Sequence, residues 1–182
     1  GRRAKALNSG CFVWGDSTED DISCAFVNRW MARASGGVYF YTNSTLSSGM
    51  YLAAGGSSWN AVSDRNLKEN FKAVDGREIL ARLAGIHLTT WNYKAQDPAI
   101  RHIGPMAQDF NGLLDGLGGE GETYINTLDA DGVALAALQG AYQLIQDKDA
   151  QIAAQQAQIE DLETRLSALE SLVAQMAKGG GK

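Results

Sequence analysis

The chain changes its hydrophobic rhythm twice. Up to about residue 56, short apolar runs such as "CFVWG" and "GVYFY" alternate with polar stretches rich in Gly, Ser and Asp. Written in blocks of fourteen, "SGCFVWGDSTEDDI", "SCAFVNRWMARASG" and "GVYFYTNSTLSSGM" place Phe12, Phe26 and Phe40 in one register, followed by Val13, Val27 and Tyr41. A short strand and a polar turn, repeated, is the pattern of a β-roll or β-solenoid, whose units bury their faces only when neighbours stack on them. A meander of short antiparallel strands satisfies the same pattern. Either way, three such units supply little core, and self-association is the natural remedy.

The last third has a different period. Leu138, Ile145, Ile152, Ile159, Leu166 and Val173 recur at strict sevens, and three positions after each come Ala141, Lys148, Gln155, Leu162, Leu169 and Met176. These are the a and d positions of a coiled coil, predicted over 135–178 and on the order of 60 Å long. A single helix cannot bury its own stripe. The partners are other copies of the chain or an antiparallel hairpin, and with no second heptad segment in the sequence an intermolecular bundle is favoured. Isoleucine at a, with Lys148 and Gln155 at d, leans toward three strands. "GGGK", residues 179–182, reads as a flexible tail.

Between these lies a mixed segment, 57–134. "DGREILARL" opens on Asp75 as N-cap with Glu78 three residues on, and Gly85 stops the helix. "IHLTTWNYK" alternates and is rich in β-branched and aromatic residues, so Ile86 to Lys94 reads as a strand. Pro105 leads into a further helix, "ETYINTL" reads as a strand, and "DADG" opens the long helix. The fold class expected is thus α+β with a long C-terminal coiled coil and an N-terminal β-roll or β-solenoid-like end.

Composition narrows the partners. A net charge of -5 and the lack of any dense Lys/Arg block beyond the tip "GRRAK" argue against nucleic acid. No apolar run reaches the roughly 18 residues that span a bilayer, and no signal-peptide pattern is present, so no membrane partner is expected. Cys11 and Cys24 are too few for a disulfide framework and read as buried free thiols. His87 and His102 have no carboxylate or cysteine at ligand spacing, and the carboxylates of "GDSTEDD", Gly15 to Asp21, lack the alternating oxygens of a calcium loop. No metal and no cofactor is expected. Trp91 and Tyr93 share a strand face and read as packing residues, and Gly55 and Gly56 as a linker to the segment that follows.

That segment, 57–70, contains "SDRNLKEN", too polar for core. A surface loop is the simplest reading of a serine and a lysine five positions apart, but the flanking sequence adds to it. "SDRNLKENF", "ILARLAGIHLTTWNYK", "RHIGPMAQDF" and "TYINTLDADGVALAALQGAYQLI" running into heptads resemble, in that order over about residues 57–177, a known family. It is the C-terminal intramolecular chaperone auto-processing domain of phage endosialidase tailspikes, tail fibres and neck appendages. The same self-cleaving peptidase domain occurs in bacterial fibre-like proteins and in membrane-tethered animal transcription factors.

The resemblance implies a homotrimer that templates folding of an upstream β-fibre in its own chain and then cuts itself away. It makes residues 1–56 the end of that fibre or head. It places the chain in a virion tail fibre or a bacterial surface fibre. Carried across, Ser63 is the nucleophile and Lys68 its base, Asp64 and Asn66 are supporting motif residues, and the cut falls between Val62 and Ser63 or on the other side of the serine. Ser-Lys pairs are a recognised variant of the activated nucleophile, and the lysine works when its ammonium is desolvated or pressed by other cations. Lys68 is therefore expected to become buried only when three chains close around it, so that cleavage reports completed folding. A permanent trimer clamp with a silent dyad, and an adhesin using the β-rich head, are the rival readings.

Overall fold

The computed structural model of the chain describes residues 1–113 and 121–179. It has mixed β and helical content with a long C-terminal helix, divided into two compact units, Gly1–Phe71 and the remainder from Lys72 on. The boundary expected at residue 56 falls inside a β-hairpin of the first unit, because Gly55 and Gly56 make its turn, closed by Gly56 N–H donating to the Ala53 carbonyl at 2.8 Å.

The first unit starts with two parallel strand pairs. β1 (Ala4–Ala6) pairs with β3 (Ile22–Cys24), and β2 (Phe12–Gly15) pairs with β4 (Trp30–Arg33). Both pairs share one offset: Ala4 lies opposite Ile22 and Phe12 opposite Trp30, eighteen residues on. The block of fourteen is thus not the pairing register, and Phe26 lies in the turn between β3 and β4. What recurs every eighteen residues is a backbone conformation. Gly10 (φ 72°), Asn28 (φ 56°) and Leu46 (φ 55°) each sit in the left-handed region at the turn between two strands. Glycine and asparagine take that region readily, and leucine does not. At the third turn the Asn43 side chain compensates, its Oδ1 accepting from the N–H groups of Ser47 (3.0 Å) and Ser48 (3.2 Å).

Beyond this point the pairing changes. β5 (Val38–Tyr41), β6 (Gly49–Leu52) and β7 (Trp59–Ala61) form an antiparallel meander. Parallel pairing among β1 to β4 is thus followed by antiparallel pairing among β5 to β7. Exposed aromatic rings pair between strands: Phe12 of β2 stacks on Trp30 of the adjacent β4 at 5.9 Å between centroids, and Phe40 of β5 meets Trp59 of β7 at 5.5 Å, with β6 between the two strands.

Cys11 and Cys24, expected as free thiols, form a disulfide with Cα atoms 6.5 Å apart. The parallel stacking brings this about: Cys11 precedes β2 in the first repeat, Cys24 ends β3 in the second, and the Asn8 side-chain amide donates to the Cys24 carbonyl at 2.9 Å. Two cysteines thirteen residues apart become neighbours only once the eighteen-residue offset is known.

In the second unit, α1 (Gly76–Leu83) begins at Asp75, whose carboxylate accepts from Arg77 N (2.9 Å) and Glu78 N (3.3 Å). β8 (Thr89–Trp91), shorter than the strand read from sequence, pairs antiparallel with β9 (His102–Gly104). α2 (Ala107–Leu113) follows Pro105. "ETYINTL" makes no strand: α3 (Thr127–Gly179) starts within it, earlier than "DADG", because the Asn126 side chain caps it by accepting from Leu128 N at 2.9 Å. Ile79, Ile86, Phe110, Val133 and Ala137 form the buried core, flanked by Leu80, Leu83, Ile125, Ala130 and Ala136. With 53 residues, α3 runs on well past this core. Of the tail read at 179–182, Gly179 closes the helix and the rest lies outside the described residues.

Candidate functional site

The site grows out of the end of β7. Ala61 pairs with Met50, and Val62 N–H donates to the Gly49 carbonyl at 3.1 Å, the last rung before the chain leaves the sheet. Val62 is half-buried, whereas every residue from Ser63 to Asn70 is exposed. An extended chain would carry Lys68 roughly 17 Å from Ser63 at ~3.4 Å per residue, beyond the reach of a lysine side chain. A one-turn 3₁₀ helix, Arg65–Leu67, prevents that. Its bonds run from Leu67 N–H to the Asp64 carbonyl (3.1 Å) and from Lys68 N–H to the Arg65 carbonyl (3.2 Å).

The turn brings the lysine back onto the serine: Lys68 Nζ donates to Ser63 Oγ at 2.7 Å. Asp64 and Asn66 lie between them. Asp64 Oδ1 accepts from the Asn66 backbone N–H (2.9 Å) and from its side-chain Nδ2 (3.0 Å). That is an Asx turn, and its signal was present in the sequence as an aspartate two residues before an asparagine. In the observed bond the nitrogen is the donor. To act as a base it must give up a proton and then accept from Oγ–H across the same short contact.

The other residues singled out from sequence fall elsewhere. The seam residues Leu138, Ile145, Ile152, Ile159, Leu162, Leu166, Leu169 and Val173 all lie on α3 with 48% to 67% of their surface exposed, so within one chain the stripe is uncovered. His102 stacks on Trp91 (4.7 Å) and shares a hydrogen bond with Gln96 at 2.9 Å, while Tyr93 meets Trp91 edge-on at 4.9 Å. In "GDSTEDD", Asp16 pairs with Arg33 at 3.0 Å, Glu19 with Arg2 and Arg3, and Asp21 with Arg3 and Lys5. Hydrogen bonds from the Ser35 side chain and backbone, and then from Thr18, hold the Asp16 carboxyl well below the usual carboxylate range. Among the described residues, no group of three or more His, Cys, Asp or Glu side chains is placed to hold a metal ion, and no helix is long and apolar enough to cross a membrane.

Sequence reading missed one contact that shapes the second unit. Gly76 of α1 lies against Gly140 of α3, and Arg77 closes the crossing by donating to Gln143 at 3.2 Å and pairing with Asp147 at 2.7 Å. A glycine inside a long helical pattern was the available signal.

Comparison with known proteins bears on this geometry. No curated protein matches the chain. Residues 63–119 match a peptidase family model described as chaperone of endosialidase. The matched segment opens on Ser63 and takes in Lys68, α1, the β8–β9 pair and α2. The similarity to the chaperone of endosialidase family is thus confined to residues 63–119 of this chain.

Proposed function

We propose that the chain is an intramolecular chaperone that trimerises through α3, templates the folding of a β-rich fibre segment upstream in its own polypeptide, and releases itself by autoproteolysis at Ser63. The observation that carries this reading is the 2.7 Å contact between Lys68 Nζ and Ser63 Oγ at the start of the matched segment. The uncovered heptad stripe of α3 supports assembly, and isoleucine at a with Lys148 and Gln155 at d leans toward three strands. In this reading the protein serves a virion tail fibre or a bacterial surface fibre, and the β-rich first unit is the end of that fibre.

The chemistry is a single turnover within one chain. Neutral Lys68 Nζ takes the Oγ proton as Oγ attacks the Val62 carbonyl carbon. The Val62 to Ser63 C–N bond breaks, the proton passes from Nζ to the departing Ser63 nitrogen, and Val62 is left as an ester on Oγ. Water then hydrolyses the ester, giving a Val62 carboxylate and restoring the Ser63 hydroxyl. No separate substrate pocket is needed, because the scissile bond adjoins the nucleophile. Assembly enters at the first step: three chains closing over residues 63–70 remove water from the amine and favour its neutral form. After the cut, a fibre with a high unfolding barrier stays assembled without its template.

The exposure of Lys68 favours a second reading, in which the dyad is silent and α3 is a permanent trimer clamp. Mass spectrometry of freshly expressed protein separates the two. Autoproteolysis yields a piece ending at Val62 and a piece beginning at Ser63, and S63A and K68A each leave one intact chain of 19.5 kDa. A wild-type trimer that stays intact for days supports the clamp and overturns self-cleavage.

A further inference from the structure

We infer that Asp64 is a positioning residue of the Ser63–Lys68 pair, acting through the turn that joins them rather than on the reacting atoms; this rests on the autoproteolytic reading above. The turn from Asp64 to Lys68 buries no side chain, so apolar packing does not hold its shape. What holds it is one carboxylate oxygen. Asp64 Oδ1 caps the 3₁₀ turn by accepting both Asn66 N–H (2.9 Å) and Asn66 Nδ2 (3.0 Å). The only other bonds across the turn are those of Leu67 N–H and Lys68 N–H, at 3.1 Å and 3.2 Å, which form only if the chain is already bent.

Asp64 lies beside Ser63 in sequence, yet its bonded oxygen accepts from Asn66, while the Lys68 amine donates to Ser63. Its task is to fold a five-residue separation back on itself, so that Nζ stands 2.7 Å from Oγ before any reaction begins. Asn66 is the complementary half. Its backbone N–H serves the cap whatever the side chain, and its Nδ2 adds a second donor that any other residue type except a short donor would lose. This divides the motif into a reacting pair and a bracing pair.

The test uses the full chain in four forms, with self-cleavage followed by mass spectrometry across a pH series. D64N keeps an oxygen acceptor at the cap and removes the charge, whereas D64A removes both. Positioning predicts that D64A slows cleavage by roughly 3- to 30-fold, the range set by losing a helix-type cap. It also predicts that D64A leaves the pH midpoint of the rate unmoved, that D64N restores the rate to within about twofold, and that N66A gives the smaller defect. A D64N variant as slow as D64A, or one with a displaced pH midpoint, would mean that the charge acts on Lys68 directly and would overturn the inference. A second measurement is independent of cleavage. In the full chain with Ser63 and Lys68 both intact, held below its cleavage pH, NMR contacts between Ser63 β protons and Lys68 ε protons should persist in D64N and vanish in D64A. Contacts that survive in D64A would also overturn it. If wild-type protein never cleaves but these contacts follow the same order, the autoproteolytic reading fails while the bracing role of Asp64 stands.

Discussion

Gly76, the first residue of α1, and Gly140, in the interior of α3, meet backbone to backbone. A Cβ on Gly76 would lie 2.5 Å from the Ala136 carbonyl oxygen and 2.8 Å from the Gly140 nitrogen. A helical glycine ordinarily costs about 1 kcal/mol against alanine. Here the loss allows a crossing close enough for Val133 and Ala137 to pack on Ile79, so the local rule is broken for a tertiary gain. Gly132, in the same helix, has open space where its Cβ would be. Gly132→Ala should therefore stabilise the second unit by about 0.4–1 kcal/mol, and Gly140→Ala should destabilise it by about 1–3 kcal/mol. Urea unfolding followed by Trp91 fluorescence, on a background lacking the other tryptophans, reads both. Equal gains at the two positions would show that α1 does not cross there.

Asp16 gives the first unit a pH dependence of known sign. Its carboxyl titrates lower in the folded chain than in the unfolded one, held down by hydrogen bonds from Ser35 and Thr18. The unfolded chain thus takes up the proton more readily. The contribution of Asp16 is complete above the unfolded value of roughly 3.9, and it declines as pH falls from there toward the lower folded value. D16N should lower the thermal midpoint of the β-rich unit at pH 7, and the gap from wild type should narrow steadily below about pH 4. A gap that stays constant down to pH 2 would assign the effect to shape rather than charge.

How much of this was legible in the sequence depended on how local the cause was. Asp75 as a cap, the helix after Pro105 and the stripe of α3 follow from short-range chemistry, and all were readable. The Ser63–Lys68 spacing was readable too, but only the Asx turn at Asp64 and Asn66 makes the two side chains meet. The offset of the β repeats is not legible in apolar residue type. Phe12, Phe26 and Phe40 recur at fourteen, yet stacking obeys the backbone, and the left-handed turns at Gly10, Asn28 and Leu46 set it at eighteen. A glycine and an asparagine at that spacing were visible, but Leu46 disguised the third. The disulfide was hidden for the same reason, since its two cysteines are neighbours only in the eighteen-residue register.

The Cys11–Cys24 bridge ties the first repeat to the second, and Cys24 is fully buried. Closing a loop of this length stabilises by about 2–3 kcal/mol, chiefly by restricting the unfolded chain. Reductant should accordingly lower the denaturation midpoint of the β-rich unit, and C11S/C24S should begin at the lower midpoint and ignore reductant. Thiol counting under denaturing conditions gives the parallel chemical result, with free thiols absent until reduction. A wild-type midpoint indifferent to reductant would place the stabilisation elsewhere.

Ile152 and Ile159 are 61% and 48% exposed on a helix whose neighbouring turns offer nothing to cover them, so their burial requires other chains. Placing carboxylates there sets unpaired charges in the seam, which costs several kcal/mol per layer. I152D/I159D should weaken association by at least on the order of 100-fold, giving a single chain by sedimentation velocity at concentrations where the wild type is an oligomer. Ala157→Asp, on the outward side of the same heptad, should leave assembly intact. The pair of variants also tests the link between assembly and chemistry. If closure of the chains is what dries the Lys68 amine, the dissociated variant retains Ser63 and Lys68 yet stops cutting, and raising the pH partly restores it by supplying neutral amine from solution. A dissociated chain that cuts at the wild-type rate would separate the two, leaving a dyad that works alone and a seam that serves only to gather the fibre.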